Sequence, residues 1–140
     1  MKTISSVIFL SFLIILLLVT PVNGSSNWVK YARSNGDILS YNKIHIKRTK
    51  DIVKVWTKIV FSDAGRGTNN RGSSNEKRDK LSFNKSLIEI DCKEERVRLL
   101  SFIQYNTDGS VLNSRYHDKP EWKYIPPDSM LDMLRENVCK

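Results

Sequence analysis

The chain has 140 residues, with 23 Lys and Arg against 15 Asp and Glu, a formal net charge of +8. That length suits one domain with a real core, and the basic excess favours anionic partners such as sulfated glycans, acidic proteins, nucleic acid or membrane surfaces. Two cysteines (Cys92, Cys139) and two histidines (His45, His117) have no ligand spacing to one another, which argues against a metal site; no cofactor is expected.

Lys2 followed by an apolar run over 7–19 has the outline of a signal peptide, and Val22-Asn23-Gly24 offers small residues to signal peptidase, so cleavage is expected after Gly24. The alternative is an uncleaved anchor, but the run falls short of the ~20 residues that a spanning helix needs. A lipid anchor is not expected, because no cysteine lies near the cleavage site. Cleavage after Gly24 removes one charged group, Lys2, and leaves residues 25–140 as a single exported domain. Two cysteines in an exported chain point to one disulfide.

In the exported part, Trp28-Val29-Lys30-Tyr31-Ala32-Arg33 carries the β-formers of a first strand. Asn35-Gly36 predicts a hairpin turn into Ile38-Leu39-Ser40-Tyr41. Ile44-His45-Ile46 reads as a short strand with His45 on the side away from the isoleucines. The strongest strand of the N-terminal half spans 52–61, with Val53, Val55, Ile59 and Phe61 on one face and Lys54, Trp56 and Lys58 on the other. The Gly- and Asn-rich stretch 62–80 has no apolar anchors and predicts a mobile surface loop.

Strand pattern resumes at Leu81, with Ile88, Ile90 and Cys92 on one face and Lys85, Glu89 and Asp91 on the other. A tight polar turn over Lys93-Glu94-Glu95 leads into 96–105, where Val97, Leu99 and Ile103 share one face and Leu100 and Phe102 the other, as in a central strand. Asn106-Thr107-Asp108-Gly109-Ser110 predicts a further hairpin into a last full strand over 111–116. Pro126-Pro127-Asp128-Ser129 marks a helix start, and Ser129 with Asp132 resembles a capping box. Leu131, Leu134 and Val138 then form an apolar stripe at helical spacing. Three turns are marginal in isolation, and Cys139 offers a tether for them.

Taken in order, these pieces resemble the surface-adhesin protein E family of bacterial envelope proteins. The resemblance rests on Trp28-Val29, Tyr41, Ile44 and Val53-Lys54-Val55-Trp56, then on Asp91-Cys92-Lys93-Glu94-Glu95-Arg96-Val97-Arg98-Leu99-Leu100-Ser101 and Tyr105-Asn106-Thr107-Asp108-Gly109-Ser110-Val111-Leu112. It closes on Trp122, Ile125-Pro126-Pro127-Asp128-Ser129 and Val138-Cys139. The resemblance implies an α+β domain, a six-stranded antiparallel sheet with the C-terminal helix on its concave face, tethered by a Cys92–Cys139 disulfide. It also implies a homodimer and binding of extracellular-matrix or plasma proteins. The stretch 62–80 departs from the family in length and composition, so no binding role is carried over to it.

The leading functional expectation is a non-catalytic, exported binding module located in the periplasm, at the cell surface or outside the cell. Its ligand is expected to be a protein or polyanion, without specific nucleic-acid recognition. The run 43–58 carries Lys43, Lys47, Arg48, Lys50, Lys54 and Lys58 against Asp51 alone, so Lys47, Arg48, Lys50, Lys54 and Lys58 are the candidate contacts. Trp56 either stands exposed between Lys54 and Lys58 and joins them, or packs beneath the helix while the lysine stems run past it. The alternatives are a small basic hydrolase of ribonuclease type and a periplasmic assembly or inhibitor protein. Neither histidine is expected to be catalytic, since no nucleophile motif accompanies them.

Overall fold

The computed structural model describes residues 26–62 and 81–140. The signal-peptide reading of 1–24, and all but the first residue of the loop read at 62–80, therefore lie outside the described residues. Alternation of aliphatic and polar side chains builds the strands: β1 (Trp28–Ser34), β2 (Asp37–Asn42), β3 (Lys47–Thr49), β4 (Ile52–Val60), β5 (Leu81–Asp91), β6 (Arg96–Asn106), β7 (Val111–Tyr116) and β8 (Lys123–Tyr124). They form one antiparallel sheet in the order β1-β2-β4-β5-β6-β7. The two short strands lie off this path, β3 on β4 and β8 on β6, so the sheet has eight strands where six were expected. The class, α+β, is as expected.

The β1–β2 hairpin turns on Asn35 and Gly36, both left-handed (φ 49° and 85°), as the Asn-Gly pair predicts. Gly36 has a second reason to lack a side chain, because a Cβ there would lie 2.8 Å from the Ser62 hydroxyl oxygen.

The strand read at 44–46 is instead a 3-10 turn, Lys43–His45. The side chain of Asn42 accepts hydrogen bonds from the backbone of Ile44 (3.1 Å) and His45 (3.2 Å), which offers the chain a local alternative to the ladder. Pairing resumes three residues later than expected, at β3.

β6 departs from expectation in its parity. Leu99 faces Ile88 and Ser101 faces Leu87, so Leu100 is an extra residue in a β-bulge. Val97 and Leu99 consequently share a face with Ile88 and Ile90, whereas Ile103, opposite Lys85, points to the other side.

The helix α1 (Met130–Val138) starts at Ser129, whose hydroxyl accepts from the Asp132 backbone at 3.2 Å. The expected reciprocal arm lands one residue early, with Asp128 N–H donating to the Asp132 carboxylate. Leu134 and Val138 are wholly buried against Val53, Val55, Ile88, Ile90 and Ile125, and Leu131 packs at the margin of that cluster. The stripe read from spacing is thus the docking face. Three further ties hold the helix. Cys139 is bonded to Cys92, the Arg48 guanidinium donates to the Val138 carbonyl, and Arg135 reaches Glu95 at 3.2 Å. Below, the sheet face carrying α1 is the covered face and the other the open face.

Candidate ligand-binding face

Residues opposite one another in an antiparallel pair share a face, so register alone composes the open face. Lys30 pairs with Ser40, Ser40 with Lys58, and Lys58 with Lys85. Three lysines from β1, β4 and β5 therefore lie in one row across the sheet. Lys58 and Lys85 stand directly opposite, an arrangement of like charges that costs stability. Among the described residues, neither has an acidic partner.

Aromatic rings surround them. The Lys58 ammonium lies 4.7 Å from the Trp28 ring centroid and that of Lys85 5.9 Å from it. Phe83 and Tyr105 stack at 4.5 Å, and Lys85 sits 5.6 and 5.1 Å from their centroids. Ring quadrupoles stabilise the cations and hold them in place. Burial lowers the Lys58 pKa, and the charge of Lys85 lowers it further. A bound anion would offset both effects.

The other end of the open face is neutralised. Glu89 and Asp91, only 8% and 7% exposed, take up the nearby cations: Lys54 and Arg98 reach Glu89 at 2.9 and 2.6 Å, and Arg96 reaches Asp91 at 2.9 Å. Trp122 closes this cluster, its ring centroid 4.4 Å from the Arg98 guanidinium and 5.6 Å from that of Arg96. All three tryptophans of the chain thus belong to the open face. Burial pushes the Glu89 carboxyl upward, but hydrogen bonds from Lys54 and Arg98, with their charges, outweigh it and the net shift is downward. Asp91 is lowered first by the Glu94 backbone N–H, then by Arg96.

A group whose folded pKa is depressed stabilises fully above its unfolded pKa and loses that contribution as pH falls through the folded one. With unfolded values of 4.5 for Glu89 and 3.8 for Asp91, the urea midpoint is expected to hold steady above about pH 5 and fall below it. Glu89→Gln should flatten that fall. An acid limb that Glu89→Gln leaves unchanged would place the responsible carboxylate elsewhere.

The candidate contacts are divided between the faces. Lys47, opposite Lys54, and Trp56, opposite Leu87, are on the open face with Lys58. Trp56 is half-buried there and lies on the far side of the sheet from the helix. Lys50 occupies the left-handed turn between β3 and β4 (φ 53°) and is exposed. Lys54 is committed to Glu89. Arg48 does not join the others. It faces the covered side opposite Val53, where it caps the carbonyl end of α1. The sequence reading missed Lys85, Lys30 and Trp28. No local signal marks them, because only register brings them to Lys58.

His45 is exposed in the 3-10 turn after β2 and bonds Asn42 through Nδ1 at 3.1 Å. The His117 backbone N–H donates to the Leu100 carbonyl of β6, three strands from β2 in the sheet order. Among the described residues, no group of three or more His, Cys, Asp and Glu side chains could hold a metal ion. No helix among them is long and apolar enough to cross a membrane.

The profile of the family described as surface-adhesin protein E matches residues 28–140. Among solved structures, one of Haemophilus influenzae protein E superposes with a TM-score of 0.56 at 11% identity, covering 87% of this chain and 94% of the other. A second structure of that protein gives a TM-score of 0.52 at 13% identity, covering 87% and 90%. At such identity, the likeness extends to the fold alone. No curated protein matches the chain.

Proposed function

The chain belongs to the surface-adhesin protein E family, and from that premise we propose that it is an exported, non-catalytic binding module that holds an anionic ligand on its open face at or beyond the cell surface. The ligand class is a sulfated glycan or an acidic segment of a matrix protein. The observation that carries this reading is the Lys58–Lys85 pair, two opposed ammonium groups without acidic partners among the described residues, each beside the Trp28 ring. Lys30 and Lys47 extend the positive field along the same face, and half-buried Trp56 adds an aromatic surface between them. Lys54 and Arg48 contribute indirectly, through the Glu89 cluster and through the helix end.

Heparin is the probe. Binding is expected to weaken steeply with salt, since exposed charges are screened beyond about 8 Å at physiological ionic strength. A Lys58→Ala/Lys85→Ala variant should lose on the order of tenfold in affinity and elute earlier from a heparin column. A Lys47→Ala/Arg48→Ala/Lys50→Ala variant should lose less. If the second variant abolishes binding and the first leaves it unchanged, the site lies at β3 and this assignment is wrong.

A further inference from the structure

Beside α1, the covered face holds a groove of about 630 Å³ that the helix does not fill. Nine helical residues span about 14 Å, whereas the eleven residues of β5 run about 36 Å. Much of the strand length thus continues past the helix. The uncovered floor is apolar, formed by Tyr31, Leu39, Ile59, Ile88 and Leu99 from five successive strands. Leu131 of α1 makes one wall, and the segment 117–123 makes the other.

We infer that this groove binds a fatty acid, its hydrocarbon tail along the floor and its carboxylate at the rim. The volume falls within the range of small-molecule sites, about 300–1,000 Å³, which are mostly apolar with a few placed polar groups. It suits one acyl chain rather than a two-chain lipid. The chemistry of the floor favours a hydrocarbon over a peptide. A peptide brings a donor and an acceptor with nearly every residue, and besides the Tyr31 phenol the floor offers only the hydroxyls of Thr57 and Ser86 to meet them, that of Thr57 already bonded to the Ser86 carbonyl at 3.3 Å. The Tyr31 phenol, pushed up to about 12 by burial, stays a neutral donor. The rim supplies the counter-charge. Lys119 and Lys123 line it, without ion-pair partners among the described residues, against the single acid Glu121. Arg98 also borders the groove but is held by Glu89. This site lies on the opposite face from Lys58 and Lys85, so its fate is independent of heparin binding.

The test is calorimetric titration of the disulfide-intact protein with dodecanoate below its micelle concentration. The expected result is saturable binding of one dodecanoate per chain. Lys119→Glu/Lys123→Glu, which alters only exposed side chains, should weaken it by about tenfold while leaving dodecanol binding nearly unchanged. Ser86→Phe, which fills the floor, should abolish it without affecting heparin. Absence of binding, binding that survives Ser86→Phe in a folded variant, indifference to the lysine changes, or uptake only by phospholipid vesicles would each overturn the inference. Should Ser86→Phe fail to fold, the methyl resonances of Leu39, Ile59, Ile88 and Leu131 in the parent protein decide the matter. They are expected to shift on adding dodecanoate, and dodecanoate binding that leaves them unmoved places the ligand elsewhere.

Discussion

Replacing Cys92 and Cys139 by alanine is expected to lower the unfolding free energy by about 4 kcal/mol, the chain-entropy value for a closed loop of this length. The two residues are 47 positions apart and bonded to one another, so the unfolded chain loses the freedom of a long loop. A domain of this size is stable by only about 5–15 kcal/mol in total, which makes the bond a large share. Its position makes the loss local as well. Cys92 directly follows β5, and its backbone N–H donates to the Asp51 carbonyl; Cys139 is the residue that caps the end of α1. A nine-residue helix is marginal by itself. Without the tether, α1 keeps its buried leucine and valine, the Arg48 cap and the Arg135–Glu95 contact. Urea unfolding of the double-alanine variant against the parent measures the effect. A difference under 1 kcal/mol would show that packing alone holds the helix.

Leu134→Ala, with the disulfide intact, should cost about 2–5 kcal/mol, the range for a large-to-small change in a packed core. Leu134 is wholly buried, and it sits in the cluster of Val53, Val55, Ile88, Ile90, Ile125 and Val138. The tether makes the upper half of that range the expectation, because a helix bonded at its end cannot slide freely to close the cavity. Chemical denaturation reads the cost directly. A loss under half a kcal/mol would mean that the site collapses onto the smaller side chain. Both changes act on the same helix, so their combined effect should fall short of the sum. Once the tether is gone, part of the packing that Leu134 contributes is already weakened.

Much of this architecture is legible in local pattern. The period of two over 52–60 and 81–91 assigns Val53, Val55, Ile88 and Ile90 to one face, and the structure places all four in the core. Asn35-Gly36 marks its turn through a backbone conformation that few other pairs adopt readily. Leu131, Leu134 and Val138 identify the buried side of α1 through helical spacing. In each case the information lies within a few residues, where sterics and solvation act through neighbours along the chain.

Apart from the 3-10 turn Lys43–His45, which Asn42 decides locally, what failed did so where a partner distant in sequence decides. The bulge at Leu100 reverses the parity of the second half of β6, and it exists only relative to β5. Glu89 and Asp91 read only as members of the strand face opposite Ile88 and Ile90, yet they are buried under Lys54, Arg96 and Arg98 and closed over by Trp122. Basic density along 43–58 ran together residues that the sheet then divided, sending Arg48 to the helix end and Lys54 to Glu89. Lys85 and Trp28, far from Lys58 in sequence, became its neighbours.

Residue pattern along the chain specifies the main strands, the buried side of the helix and the sign of the charge, and the family resemblance adds the class of fold and the tether. Which lysines stand together, without acidic partners among the described residues, is settled across strands, because alternation specifies a side chain's face but not the residue opposite it. That choice is made by register between strands, and register is a property of two segments at once.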